Sequence, residues 1–426
     1  TAWFPTIGKE GVLYFAQDVE ETYRWDVNSG TYVLFAGATG GVTDHGLLIG
    51  LADDDHPQYA LDTDLTAHVA AADPHPQYAL DSDLTTKQPL DATLTAIADE
   101  TLGAFSYRNK IINGNFDIWQ RGTSQTTSGY GSDDRWFNQN NGTTKTHSRQ
   151  AFALGQTAVP GEPAYYSSTA VTSVAGAANY CLKIQRIEGV RRLAGKTATV
   201  SFYAKADAAK NIAIAFVQNF GTGGTPSAAV TAIGSQLVAL TTTWQKFTKT
   251  ISIPSISGKT LGTAGDDFTA CQFWFDAGTD NDTQAASLGQ QSGTFDIAQV
   301  QIEEGSVATP FEQRPIGVEL ALCRRYYRVS ARMLPGRWIS STVCRFWAFF
   351  DTPMRAAPTS SLSAAAFAVE DPGVASYDAT AASITATGDG NSGVFIQITA
   401  TYAGAPAALT IAQMNTAGAI TFAAEL

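Results

Sequence analysis

Thr197-Ala-Thr-Val-Ser-Phe-Tyr-Ala204 puts an apolar side chain at every second position. That is the period of a strand with one face in a core and the other outside it. The alternation recurs in Ile212-Ala-Ile-Ala-Phe-Val217, Trp244-Gln-Lys-Phe-Thr-Lys-Thr-Ile251, Cys271-Gln-Phe-Trp-Phe275 and Phe295-Asp-Ile-Ala-Gln-Val-Gln-Ile302. Strands like these, joined by Gly and Ser loops, predict a two-sheet sandwich over residues 109–315. Pro315 to Tyr327 reads as a helix opening after a proline, with Val318, Leu320, Leu322 and Tyr326 on its apolar side. A smaller C-terminal β-sandwich is expected to complete residues 316–426. Upstream, residues 1–42 alternate around turn signals such as Asn28-Ser29-Gly30 and predict an antiparallel meander, a piece too small to be stable alone. Leu90, Leu94, Ile97, Ala98 and Leu102 have helical spacing, so a short helical linker is expected over 87–108.

Glycine is abundant, at 38 of 426 residues, and charged residues make up only 15%. This composition favours a mainly β chain over a helical bundle. The net charge of −12 is concentrated at the front: residues 1–100 hold 17 acids and 3 bases, a balance of −14, so the rest holds 22 and 24, a balance of +2. No basic stripe suits nucleic acid, and no run of about eighteen apolar residues predicts a membrane-spanning helix. After Arg355 there is no Lys or Arg at all, which points to a C-terminal region that packs or faces other copies. Cys181, Cys271, Cys323 and Cys344 are far apart with no C-x-x-C and read as buried free thiols. An opening Thr1 suggests a processed product or a piece of a longer chain.

Four of the five histidines fall between residues 45 and 75. Two blocks end in one tetrapeptide, His56-Pro57-Gln58-Tyr59 and His75-Pro76-Gln77-Tyr78, with His45 and His68 upstream. The X-Pro steps rule out a long regular helix over 43–86, and the clustering suggests a collar in which copies of the chain clamp one another. In a parallel trimer, His45 with His56 and His68 with His75 would point imidazoles at the axis, a donor set suited to Fe(II), Ni(II) or Zn(II). The competing reading is that they stack on Tyr59 and Tyr78. Asp53-Asp54-Asp55 is a weaker calcium candidate.

The segments Asp53-Asp-Asp-His-Pro-Gln-Tyr-Ala-Leu61 and Asp73-Pro-His-Pro-Gln-Tyr-Ala-Leu80 resemble repeats in tail fibres of tailed bacteriophages. Asn113-Gly-Asn-Phe-Asp-Ile-Trp-Gln-Arg-Gly122, followed by Asp134-Arg-Trp136, is similar to the opening of carbohydrate-binding-module-like heads on such fibres. Val300-Gln-Ile-Glu-Glu-Gly-Ser-Val-Ala-Thr-Pro-Phe311 looks like their closing strand, and Glu319-Leu-Ala-Leu-Cys-Arg-Arg-Tyr-Tyr327 like the helix after it. The resemblance implies an elongated homotrimeric fibre in the virion, with a jelly-roll head and a C-terminal end that meets the host surface; the partners expected for it are other tail or baseplate proteins and a host surface polysaccharide or lipopolysaccharide. It also implies a structural calcium held by Asp117 and Asp296 at the sheet ends, although this sequence has Asp117 where Glu is frequent.

Sugar binding needs flat aromatic faces bordered by planar polar groups. Trp119, Tyr130, Trp136, Tyr165, Tyr166 and Trp274, with Asn138, Gln139 and Asn140, are the candidates, against a competing reading in which Trp136, Phe273 and Phe275 are core. Trp274 has opposite parity to Phe273 and Phe275, so it is expected to point outward. The structural reading buries most of these rings. Catalysis is not expected. Asp133-Asp134 and Glu303-Glu304 are sequence neighbours that point to opposite faces of a strand and cannot by themselves pair as a glycosidase needs. No G-x-S-x-G, Walker A or H-E-x-x-H occurs. A purely structural tail subunit is the main alternative to receptor binding, and a polysaccharide depolymerase a more distant one.

Overall fold

The computed structural model describes residues 5–16, 21–36, 107–330, 334–362, 368–371, 375–386, 390, 392–402, 411–414 and 420–426. His45, His56, His68 and His75, the 43–86 collar and all but the last two residues of the 87–108 linker lie outside the described residues.

The chain divides into two units, Thr1–Gln88 and Pro89–Leu426. In the first, β1 (Leu13–Ala16), β2 (Glu21–Asp26) and β3 (Thr31–Ala36) form the expected antiparallel meander. The Tyr32 ring meets Tyr14 and Trp25 edge-on at 5.0 and 4.8 Å, while Leu13, Phe15, Val33 and Phe35 stay exposed.

In the second unit, alternation builds two sheets. The five-stranded sheet runs β11 (Val230–Leu240), β10 (Lys210–Asn219), β13 (Phe268–Ala277), β8 (Tyr180–Glu188) and β5 (Trp136–Asn141). The six-stranded sheet runs β12 (Gln245–Ser252), β9 (Thr197–Ala206), β14 (Gly293–Glu304), β7 (Tyr165–Thr172), β6 (Thr144–Ala151) and β4 (Ser124–Gln125). Their inner faces bury Val200 and Phe202 of β9, Phe216 of β10, Phe273 and Phe275 of β13, and Phe295 and Ile297 of β14. Cys181 and Cys271 are buried free thiols in this core, and Cys323 and Cys344 are buried elsewhere.

Two departures follow from what covers each face. The outer face of the five-stranded sheet carries its own apolar cluster of Leu182, Ile184, Ala213 and Trp274, capped by Ala285 and Leu288 from the segment after β13. Trp274 is therefore only 3% exposed: parity puts it on the outer face as expected, but that face is covered. Secondly, β14 slips register against β9 between Ala298 and Gln301. Gln299 there has φ +48°, a left-handed bulge conformation that is rare for a side chain with a Cβ. After it the inward phase changes from Phe295 and Ile297 to Val300 and Ile302.

Helix α1 (Ile316–Arg324) follows Pro315 as predicted, but it buries Glu319 and Cys323, not the Val318 and Leu322 side. Glu319 is held there by the Asn113 backbone N–H and by Arg314 at 3.1 Å. Beyond it, the C-terminal β-structure is a closed barrel, correcting the expected sandwich. Strands β16 (Leu334–Ser340), β17 (Val343–Phe349), β21 (Gly393–Tyr402), β20 (Ala375–Ala386), β19 (Ala368–Asp371) and β22 (Ile411–Met414) close because β22 pairs with both β16 and β19, leaving no open edge. Trp338, Phe346, Ile396 and Met414 fill it. Strands β15 (Tyr327–Val329), β23 (Ile420–Ala423) and β18 (Thr359–Leu362) form a separate small sheet. Among the described residues no helix is long and apolar enough to cross a membrane.

Glu425 ties the last residues to the sandwich by pairing with Arg121 at 2.8 Å and with Arg135. Nearby, Glu188 accepts hydrogen bonds from Arg325 at 2.8 Å and from the Tyr326 hydroxyl at 2.7 Å. Asp134, buried beside Arg121, accepts a hydrogen bond from the Gln120 backbone N–H at 3.0 Å. Burial pushes the Asp134 carboxyl up to about 6 from its ordinary 3.8. The folded state thus favours the protonated acid, so this group's stabilisation is full below about pH 4 and is lost as pH rises through about 6. Between pH 7 and pH 4 the melting temperature of the wild type should rise relative to that of Asp134→Asn. Parallel melting curves for the two across that range would contradict the assignment.

Candidate functional site: the outer face of the six-stranded sheet

The residues that strand alternation turns away from the core of β9 are Ser201, Tyr203 and Lys205, and register places Lys246 of β12 opposite Tyr203 and Asp296 of β14 opposite Lys205. Two loop segments rise over this face, Pro160-Gly161 and Pro310-Phe311. Between them lies a cleft of about 420 Å³ lined by Ser201, Tyr203, Lys246, Gln299, Phe311 and Gln313 as well. The bulge aims Gln299 into this wall, where its Nε2 donates to the Pro160 carbonyl at 2.7 Å.

An aromatic cluster stands on the same face. Tyr166 of β7 meets Trp244 edge-on at 5.2 Å, and Phe152 packs on both at 4.8 and 5.3 Å. The Lys205 ammonium lies 5.4 Å from the centre of the Trp244 ring and 3.4 Å from Asp296 Oδ2. Asp296 is 7% exposed, and its Oδ1 is buried without a hydrogen-bond partner. Burial raises its pKa against the opposing effects of Ser168 and Lys205, and burial with the neighbouring Asp296 raises that of Tyr166. Half-buried rings, a cation and a carboxylate with an unused lone pair supply the two kinds of contact a pyranose takes, stacking on its C–H face and oriented hydrogen bonds to its hydroxyls.

Of the sugar-binding residues proposed from sequence, only Tyr166 belongs to this cluster, and Asp296, proposed for calcium, stands beside it. Trp119 packs against the core and donates its indole N–H to the Phe116 carbonyl. Tyr130 stands edge-on to Phe137 at 5.1 Å. Asn138 is buried in a polar network with Asp133 at 3.0 Å, Gln139 donates to the Tyr180 hydroxyl at 2.8 Å, and Asn140 is bonded to Ser128 and Thr143. Tyr165 lies under the Arg149 guanidinium at 4.3 Å. Of the three β5 residues, Asn138 is drawn into an interior network, while Gln139 and Asn140, half-buried, bond to neighbouring segments of the chain. Asp117 and Asp296 do not share a site: Asp117 is bonded to Asn115 at 2.9 Å, while Asp296 faces Lys205. Among the described residues no three His, Cys, Asp or Glu side chains group to hold a metal.

Sequence reasoning missed Tyr203, Trp244, Lys205, Lys246 and Gln299. The outward parity of Tyr203 and Lys205 on the best-patterned strand, and the slip of alternation between Ile297 and Val300, were the available signals.

No family model and no curated protein matches the chain. Among solved structures it is similar to a CBM4 carbohydrate-binding module, at 20% identity, covering 45% of this chain and 98% of that one, with a TM-score of 0.27. A family 11 carbohydrate-binding module from Clostridium thermocellum in complex with a β-1,3-1,4-mixed-linked tetrasaccharide matches at 11% identity, 44% and 98% coverage and a TM-score of 0.25. The enzymatically active domain of tailspike protein 4 of bacteriophage CBA120 matches at 12% identity over 47% of this chain and 22% of that one, with a TM-score of 0.27.

Proposed function

We propose that this chain is a host-attachment protein of a phage or phage-derived particle, and that the outer face of its six-stranded sheet binds a surface saccharide without cleaving it. The observation that carries the reading is the cleft beside Tyr203, flanked by the Tyr166–Trp244 cluster and the buried Asp296 oxygen that has no partner. The attachment role is supported by the paired His-Pro-Gln-Tyr blocks and the Asn113–Gly122 motif. Self-association, proposed as a homotrimer, is supported by the exposed Leu13, Phe15, Val33 and Phe35 of a three-stranded meander too short to enclose a core of its own.

Tyr203→Ala and Trp244→Ala should each weaken binding to an oligosaccharide identified on a glycan array by about tenfold, on the order of 1.4 kcal/mol; the melting curve should be nearly unchanged for Tyr203→Ala and modestly lowered for Trp244→Ala, which loses its contacts with Phe152 and Tyr166. Asp296→Asn keeps an acceptor but discards the charge, and should lower affinity less than Asp296→Ala. Unaltered affinity in all four variants would remove the cleft from the account.

A further inference from the structure

The barrel carries a second, unrelated surface. Residues 331–426 contain four bases, Arg332, Arg337, Arg345 and Arg355, against six acids. Two of the four, Arg337 of β16 and Arg345 of β17, sit directly opposite one another in register. Like charges at that position disfavour the strand pair, and among the described residues neither arginine makes an ion pair. Asp351 and Glu425 pair with other arginines, and among the described residues no carboxylate pairs with Arg337 or Arg345, both exposed.

Two residues along the same face of β17 from Arg345 is Trp347, 37% exposed, which packs against its register partner Phe395 of β21, 40% exposed, with ring centres 4.7 Å apart. Gln397, opposite Arg345, accepts its Nε–H at 3.0 Å, fixing the guanidinium plane and leaving its outer N–H groups directed elsewhere. Aromatic rings for a sugar face thus lie next to two cations and a planar amide.

We infer that this wall is a second binding site, for an acidic sugar: the pyranose ring rests on Trp347 and Phe395 while its carboxylate or phosphate is held between Arg337 and Arg345. The charge pattern favours this occupant over a second copy's apolar face, which would leave the paired arginines buried without counter-charge. The site is independent of the sandwich cleft.

The test is titration of the full chain with glucuronic acid, glucose 1-phosphate and neutral methyl glucoside, followed by isothermal calorimetry and saturation-transfer NMR. Both acidic sugars should bind more tightly than the neutral one, and whichever is tighter identifies carboxylate or phosphate as the natural group. Arg345→Gln and Arg337→Gln should each lower the acidic-sugar affinity about tenfold towards the neutral level, whereas Trp347→Ala should weaken all three. Tyr203→Ala should leave this binding intact, which separates the site from the sandwich cleft. These side chains are exposed, and unchanged melting curves will verify folding. The inference is overturned if none of the three sugars binds saturably, if acidic and neutral sugars bind equally, or if Trp347→Ala instead abolishes self-association in sedimentation.

Discussion

Lys183→Met is expected to cost about 3–5 kcal/mol of folding stability. Lys183 lies on β8, and its ammonium is paired with Asp133 inside the sandwich, the two side chains being 1% and 0% exposed. The Phe116 and Trp136 rings lie 5.3 and 5.2 Å from the ammonium, and Asn138 and Ser132 donate to the other oxygen of Asp133 at 3.0 and 2.9 Å. Burial pushes the Lys183 ammonium down to about 8, opposed chiefly by Asp133. Removing the lysine leaves a carboxylate in the core with only neutral donors, so the penalty is the stranded charge and not merely a lost contact. Combining Lys183→Met with Asp133→Leu should recover most of the loss, because the apolar pair needs no desolvation. Urea unfolding of the wild type, the single variants and the double variant will read this coupling, and a single-variant loss below about 1 kcal/mol would place the pair in the class of exposed ion pairs.

Trp274→Ala should be comparably damaging, at about 3–5 kcal/mol. A solvent-facing tryptophan on a strand would cost within about 0.5 kcal/mol, so the experiment separates the two readings of its parity. The ring stands edge-on to Tyr180 at 5.7 Å, and its indole N–H donates to Gln272 at 3.2 Å. It lies beneath the segment carrying Ala285 and Leu288, so truncation opens a cavity and loosens that cover. Trp274→Phe, which keeps a ring in the same space, should retain much of the stability. Full stability in Trp274→Ala would show the covering segment to be dispensable.

The sandwich was legible because period-2 alternation is a local signal, and the core residues Phe202, Phe273, Phe275 and Phe295 fall where that period puts them. What alternation cannot say is what lies over a sheet's second face. That depends on segments distant in sequence, which is why Trp274 read as exposed and why Pro310-Phe311 was not seen as the wall of a cleft. Barrel closure was illegible for a related reason: β22 has only four residues, and its pairing with both β16 and β19 is a tertiary fact. Asn138, Gln139 and Asn140 have the right chemistry for a sugar, but they belong to β5, where their amide N–H groups are taken by Asp133, the Tyr180 hydroxyl and the Thr143 carbonyl. Tyr166 was found as one of several aromatic residues, whereas Trp244 was read only as the start of a strand, and the cluster exists only once β7 and β12 are placed in one sheet.

The most direct test is attachment of labelled protein to candidate host cells before and after periodate oxidation of their surface sugars, with Tyr203→Ala/Trp244→Ala run in parallel. Saccharide recognition by the six-stranded face predicts strong attachment that periodate abolishes and that the double variant loses on untreated cells. Attachment that survives oxidation, or that the double variant retains in full, would contradict it.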